Sequence, residues 1–126
     1  MKPNIPISEA ESVVMEQLWQ RHPQSAEEVL DALAGSQDWQ EATVKTLLNR
    51  LLKKGAVRAE KDGRRYLYIP VLKREQWLHD ESKGFVDRVF GGRVAPLVAH
   101  FGKHHKLTKK DVEELKRLIE EMHDGK

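Results

Sequence analysis

The sequence predicts a mainly α-helical protein with one small β-hairpin, in the order of three helices, a hairpin and two or three more helices. Apolar residues recur three and four positions apart over residues 10–54 and again over 77–122, which is the period of amphipathic helices. Between these regions the period changes to two, around the dipeptide Asp62-Gly63, which is typical of tight hairpin turns. These two observations fix the class of fold.

Capping boxes predict where three of the helices begin. In each box a serine or threonine oxygen accepts a hydrogen bond from a free amide of the first turn, and an acidic side chain three residues later reaches back. The pairs are Ser8 with Glu11, Ser25 with Glu28, and Thr108 with Asp111.

The third helix is predicted over residues 41–54 and has two different faces. Its apolar stripe predicts a buried side, and Gly55 follows where a left-handed C-cap is expected. The opposite face carries only small, hydrogen-bonding or cationic side chains beyond Glu41. That face comprises Ala42, Thr43, Thr46, Asn49, Arg50 and Lys53, with Lys45 beside it.

The hairpin that follows is predicted from strands over 57–60 and 66–69, with Pro70 limiting the second strand. Arg64 and Arg65 lie at or just after its tip. Three helices followed by a tight hairpin is the order of a winged helix-turn-helix, in which the third helix enters the major groove of DNA. Side-chain amides and guanidinium groups suit base edges, and hydroxyls and ammonium groups suit phosphates. The wing, 57–70, is expected on the backbone.

Charge is distributed unevenly along the chain, although the net charge is only +2. Residues 1–40 hold two basic and seven acidic side chains, whereas residues 41–72 hold eight basic and three acidic ones. Residues 73–126 hold twelve basic and ten acidic side chains. The basic block coincides with the third helix and hairpin, as expected for a surface that binds a polyanion.

Composition excludes several other classes of protein. With 39% hydrophobic and 33% charged residues and no apolar run of bilayer length, the sequence predicts a cytoplasmic protein without membrane insertion. The absence of cysteine excludes disulfides, thiolate zinc sites, iron–sulfur clusters and cysteine nucleophiles. We find neither a phosphate-binding glycine loop nor a catalytic constellation. We therefore predict a protein that is not an enzyme and has no cofactor.

Two alternatives stay open from the residues alone. One is a winged-helix adaptor that binds another protein, although no acidic or apolar substitution interrupts the outer face of the third helix. The other is a histidine-based metal-responsive regulator. Its weak candidate ligands are His100, His104 and His105, which are more typical of a solvated polar segment beside Lys103 and Lys106.

Three segments resemble the penicillinase-repressor family of bacterial winged-helix repressors. They are SEAESVVMEQLW at 8–19, TVKTLLNRLLKKG at 43–55 and the Phe90-Gly91-Gly92 corner. The resemblance covers about residues 7–122 and is most specific in the second segment. The family's recognition-helix pattern falls on Thr43, Lys45, Thr46 and Arg50, with Lys45 where an arginine is frequent and Asn49 where a threonine is frequent.

The resemblance implies a homodimeric repressor that binds double-stranded DNA at a palindromic operator with TACA/TGTA-like halves. We accordingly predict a DNA-binding domain over 1–72 and a helical dimerisation domain over 73–126. The last helix has a strong apolar stripe, which the small domain cannot bury by itself. We predict that the stripe faces a second subunit; its members are Val112, Leu115, Leu118, Ile119 and Met122.

Induction differs between branches of the family. In the β-lactam branch a membrane sensor metallopeptidase leads to cleavage of the repressor at an asparagine–phenylalanine bond. The matching bond here is His100-Phe101, where histidine replaces asparagine. In the copper branch a C-terminal cysteine motif binds the metal, and a chain without cysteine excludes that mechanism.

Overall fold

The computed structural model describes residues 5–124 and contains six helices and two strands within that range. Residues 1–4, at the start of the predicted DNA-binding domain, and residues 125–126, at the end of the predicted dimerisation domain, lie outside the described residues. In chain order the elements are α1 (Glu9–Gln20), α2 (Ala26–Leu33), α3 (Glu41–Lys54), β1 (Val57–Asp62), β2 (Arg65–Pro70), α4 (Arg74–Phe90), α5 (Val94–Lys103) and α6 (Lys109–Asp124).

Local signals place the helix ends as predicted. Both serine capping boxes form completely, with the serine oxygen accepting from the amide three residues on and the glutamate accepting from the serine amide. Thr108 and Asp111 make the same pair of bonds before α6. Gly55 ends α3 in the left-handed region with φ of 78°, as expected for a glycine C-cap.

The hairpin turn lies one residue later than predicted. Asp62 pairs with Arg65 in the antiparallel register, so the two-residue turn is Gly63-Arg64 rather than Asp62-Gly63. The glycine takes the positive φ of 65° that the turn requires, and an Arg65–Asp62 ion pair closes the last rung. Both strands are consequently longer than predicted, extending to Asp62 and starting at Arg65.

The core of the first compact unit, which extends to Asp80, is built from α1, α2, α3 and the hairpin. Apolar faces of the three helices meet around Val14, Leu18, Val29, Leu48 and Leu51, all of which are fully buried. The hairpin joins this core through Tyr68, whose backbone exchanges two hydrogen bonds with Gln24 just before α2. These bonds fix the root of the wing against the helices.

A buried carboxylate links the start of α1 to the end of α3. Glu11 is 1% exposed, and its side chain accepts from the Ser8 amide at 2.7 Å and from the Lys54 ammonium. Burial raises the pKa of Glu11, but the Lys54 hydrogen bond, helped by Ser8, outweighs it, so that the pKa lies below its ordinary value. The carboxylate therefore stays charged and holds the C-terminal end of α3 in place.

Two tryptophans extend the packing of this unit beyond the wing. The rings of Trp19 and Trp77 lie 5.3 Å apart, and both side chains pack on the core. Trp19 also donates its indole N–H to the Leu72 carbonyl at 2.8 Å. The chain leaving β2 is thereby held against α1.

The second compact unit begins at Glu81 and contains the rest of α4, with α5 and α6. From Lys73 to His123 no described residue is fully buried. Large apolar side chains are instead substantially exposed, among them Phe85, Val89, Val94 and Phe101. Helices of this kind normally bury their apolar stripe against another element. Within the described residues, no helix is long and apolar enough to cross a membrane.

Candidate nucleic-acid interface

The predicted recognition face lies on the solvent side of α3. Val44, Leu47, Leu48 and Leu51 are buried in the core, and this turns the opposite side of the helix outwards. Each polar residue predicted for that side is exposed: Thr43, Lys45, Thr46, Asn49, Arg50 and Lys53. Among the described residues neither Arg50 nor Lys53 forms an ion pair, so both cations are available to a ligand.

The outer side of α3 is divided into two rows by its own periodicity. Lys45 and Asn49 follow Glu41 at intervals of four residues and line a cleft shared with the hairpin. Thr43, Thr46 and Arg50 line a separate, shallow groove together with Ala42 and Leu47. The predicted residues are thus all on one exposed side of α3, with Lys45 and Asn49 towards the hairpin.

The hairpin contributes its tip to the cleft beside α3. Arg64 and Arg65 line it, as do Tyr66 and Tyr68. The two arginines differ in their partners, because Arg65 lies 3.3 Å from Asp62 and 3.9 Å from Glu28. Within the described residues Arg64 forms no such pair. Both arginines follow Gly63 directly, so the two could not be distinguished from the sequence alone.

Two acidic groups near the cleft, Glu28 and Glu41, have partners close by in the chain. The pKa of Glu28 lies below its ordinary value, chiefly because the Ser25 amide donates to the carboxylate, with a smaller contribution from Arg65. Glu41 lies 3.9 Å from the Lys45 ammonium, one helical turn away. Exposed pairs of this kind contribute little energy, so Lys45 can exchange Glu41 for another anion.

Tyr66 was not among the predicted site residues. It is 51% exposed and lies two residues before Tyr68, so that both side chains are on the same side of β2. Tyr68 is buried against the helices, and burial raises the pKa of its phenol. The alternation of side chains along a strand could have identified Tyr66. Once Tyr68 is placed against the helices, the residue two positions earlier in the same strand lies on the same side.

The histidine candidates lie at the end of α5. The rings of His100 and His104 are 4.6 Å apart, and the ring of His100 also contacts Phe90 and Phe101. His105 follows in a turn with φ of 57°. The described residues contain no group of three or more histidine or acidic side chains suited to a metal ion. The His100-Phe101 bond is within a helix.

The geometry of α1 to β2 defines the protein as a winged helix-turn-helix DNA-binding protein, and comparison with known proteins agrees. The family described as "Penicillinase repressor" matches residues 7–121. The penicillinase repressor of Bacillus licheniformis is 31% identical over 115 residues, covering 91% of this chain and 90% of the relative. The methicillin resistance regulatory protein MecI of Mammaliicoccus sciuri is 30% identical, covering 90% of this chain and 92% of the relative.

Two solved structures are similar to the first unit. The DNA-binding domain of the repressor BlaI matches with a TM-score of 0.54 and 36% identity, covering 60% of this chain and 93% of that domain. The monomeric form of BlaI from Bacillus licheniformis, in complex with the blaP half-operator, matches with a TM-score of 0.50 and 36% identity, covering 58% of this chain and 90% of the other. The chain belongs to the penicillinase-repressor family, and it is a DNA-binding transcriptional repressor rather than an enzyme.

Proposed function

We propose that the protein represses transcription as a homodimer bound to a palindromic operator in the cytoplasm. In each half-site α3 enters the major groove and the hairpin lies along the adjacent backbone. The observation that carries this proposal is the outer side of α3, which is exposed and carries no acidic residue after Glu41. The similar BlaI, whose monomeric form was solved in complex with a half-operator, supports DNA binding by this unit.

Base recognition is assigned to the row of α3 that contains Thr43, Thr46 and Arg50. A guanidinium can donate two hydrogen bonds to a guanine edge, and threonine can bond to a base or contact a thymine methyl group. Arg50 has no ion-pair partner among the described residues and therefore has no protein contact of that kind to give up. Selectivity for the operator sequence should therefore depend most on Arg50.

The dimer is proposed from the second unit. Val112, Leu115, Ile119 and Met122 are spaced three, four and three residues apart, which is the a/d spacing of a helix that packs against another helix. Ile119 is 62% exposed and Met122 is 64% exposed, and Leu118 flanks them. A second copy would cover this stripe. Twofold symmetry then matches a palindrome with half-sites about 34–36 Å apart.

Replacing Arg50 with alanine tests the proposed function. Because the side chain is exposed, the free energy of unfolding should change by no more than about 0.5 kcal/mol. Operator binding should weaken by about 1–3 kcal/mol for each half-site, with a much smaller loss on a scrambled duplex of equal composition. Both affinities are measured by titration at one fixed salt concentration.

Arg88→Ala is the matched control, because it also removes one exposed guanidinium, from α4 in the second compact unit and outside the proposed DNA interface. This variant should bind both duplexes almost as the parent does. If folded Arg50→Ala protein binds operator and scrambled duplex with unchanged affinity, α3 does not recognise DNA. In that case the adaptor alternative becomes the better explanation of the fold.

Induction by proteolysis stays a prediction of the family resemblance. His100-Phe101 lies in the last two turns of α5, and Phe101 is 41% exposed. A protease would have to unwind these turns before cleaving the bond. Mass spectrometry of the repressor, recovered from cells before and after exposure to a β-lactam, identifies any cleaved bond. A repressor that stays intact while its target genes are induced contradicts cleavage by a membrane sensor metallopeptidase.

A further inference from the structure

Two histidines lie one helical turn apart at the end of α5. His100 is in the last two turns of the helix, and His104 is the capping residue, whose backbone N–H donates to the His100 carbonyl at 3.3 Å. The helical spacing therefore extends as far as His104. Both residues are exposed, and the centres of their rings are 4.6 Å apart. Neither belongs to the proposed DNA interface or to the α6 stripe.

The separation of the two rings is the one that a shared metal ion requires. Imidazole nitrogens bind zinc at about 2.0–2.1 Å, which puts the centres of two imidazoles on one tetrahedral or square-planar ion about 4.5–5.2 Å apart. Histidines four residues apart on a helix can therefore bind the same ion. Water supplies the other ligands of such an ion. The observed 4.6 Å lies within the range for a chelate.

Aromatic neighbours restrict the orientation of the His100 ring. The ring centre of Phe101 lies 5.6 Å from that of His100 in an edge-on arrangement, and the ring centre of Phe90 lies 6.5 Å away. A ligand whose ring is already held loses less rotamer freedom when it binds an ion. His105 follows the helix with φ of 57°, so the helical spacing does not extend to it and it is not assigned to the chelate.

The residues around the pair determine which class of ion it suits. From Arg93 to Lys110 the sequence contains no acidic residue, so Mg²⁺ and Ca²⁺, which prefer oxygen ligands, find no carboxylate there. Imidazole is instead a good ligand for zinc, nickel and copper(II). Lys103 and Lys106 lie close in the sequence, and their positive charge opposes any cation and limits its affinity.

We propose that His100 and His104 chelate one divalent transition-metal ion, of the zinc, nickel or copper(II) class, across the final turn of α5. The ion cross-links residues one turn apart and so stabilises that turn against unwinding. The bond that the family resemblance predicts for cleavage, His100-Phe101, lies within the cross-linked turn. Metal binding therefore slows proteolysis there. The chelate uses histidines rather than the cysteine motif of the copper branch, and it does not depend on DNA binding.

Isothermal titration calorimetry of the full chain with Zn²⁺ tests the chelate. We expect one ion for each subunit, tighter binding of Cu²⁺ and no binding of Mg²⁺. His100→Ala and His104→Ala should each weaken Zn²⁺ binding at least roughly tenfold, because only one ligand of the pair is left. His79→Ala is the control, since it removes an exposed histidine of α4 that has no second histidine one turn away. If the parent binds no Zn²⁺, or if both variants bind it as the parent does, the chelate is excluded.

Limited digestion with chymotrypsin, which cleaves after aromatic residues, tests the effect on the helix. Phe101 and Phe85 are 41% and 42% exposed, so cleavage after Phe85 in α4 is a matched internal reference. Saturating Zn²⁺ should slow cleavage after Phe101 roughly threefold to tenfold relative to Phe85, because cleavage requires local opening of the helix. In His104→Ala protein Zn²⁺ should leave the ratio of the two rates unchanged. An unchanged ratio in the zinc-loaded parent would show that the ion does not stabilise the turn. Neither experiment involves DNA, so the proposed function is tested separately by Arg50→Ala.

Discussion

Glu11 shows how a single residue joins two distant parts of the chain. The sequence identifies it as one member of a capping box, and it does accept from the Ser8 amide. Only the structure shows that the same carboxylate is buried and accepts from Lys54, at the end of α3. Helix α3 is thus held at one end by its glycine cap and by an ion pair whose carboxylate is buried.

Glu11→Gln should destabilise the protein by about 1–3 kcal/mol, because the amide replaces a charged acceptor and leaves Lys54 without its anion. The effect should depend on pH. Folding lowers the pKa of Glu11 from its ordinary 4.5, so its contribution is present above about pH 4.5 and is lost as pH falls through the lower folded value. Urea unfolding of the parent and the variant at several pH values measures the loss of stability and its dependence on pH.

Glu9→Gln provides the control, since Glu9 is an exposed acid in the same first turn of α1. It should change the free energy of unfolding by only a few tenths of a kcal/mol through the helix dipole. If Glu9→Gln and Glu11→Gln have the same small effect at every pH, the buried pair does not stabilise the helix junction.

At the scale of elements, the hairpin shows most clearly how a small shift in register changes an interpretation. The sequence places both arginines at the tip, without a difference between them. The observed turn leaves Arg64 in the loop and puts Arg65 into the strand, opposite Asp62. Arg65 is therefore held by Asp62 and by Glu28 of α2, whereas Arg64 is held by neither.

Arg64→Ala should reduce the slope of binding against salt by about 1 for each subunit, because it removes a free phosphate contact. Arg65→Ala should reduce the slope less, since its guanidinium is already neutralised by Asp62 in the free protein. Titrations of both duplexes over a series of salt concentrations give the two slopes. Equal reductions would show that the Arg65 pair opens when DNA binds.

At the scale of the whole molecule, the two compact units differ in what they bury. The first contains every buried apolar residue among those described, ending with Leu72. The second leaves its apolar residues partly or largely exposed, with the α6 stripe the most regular of them. The proposed division at residue 72 stays a prediction, and the compact units divide eight residues later, at Asp80.

Leu115→Asp should convert the proposed dimer into monomers and weaken operator binding. The change puts a charge into an apolar helix contact, where an unpaired ion costs several kcal/mol. Analytical ultracentrifugation gives the association state, and circular dichroism checks that the helices persist. Lys116→Asp, one residue further and exposed, is the control for the added acid. An unchanged dimer in Leu115→Asp would exclude this stripe from the interface.

Features that depend on neighbours along the chain could be predicted from the residues alone. Helix starts follow from capping boxes, the end of α3 from Gly55, and the exposed side of α3 from its leucine stripe. Each depends on contacts within about four residues, so the pattern contains the necessary information. The class of fold and the surface of α3 could therefore be predicted, and the family resemblance pointed to the same helix.

Contacts between residues that are distant in the sequence became visible only in the folded chain. The Glu11–Lys54 pair spans 43 positions, and the cleft of Lys45, Arg64 and Tyr66 exists only because β2 packs beside α3. The turn position also belongs here, since the register is set jointly by Gly63 and by the pairing of both strands. Local periodicity cannot specify such contacts, because they depend on the packing of elements that are separate in the sequence.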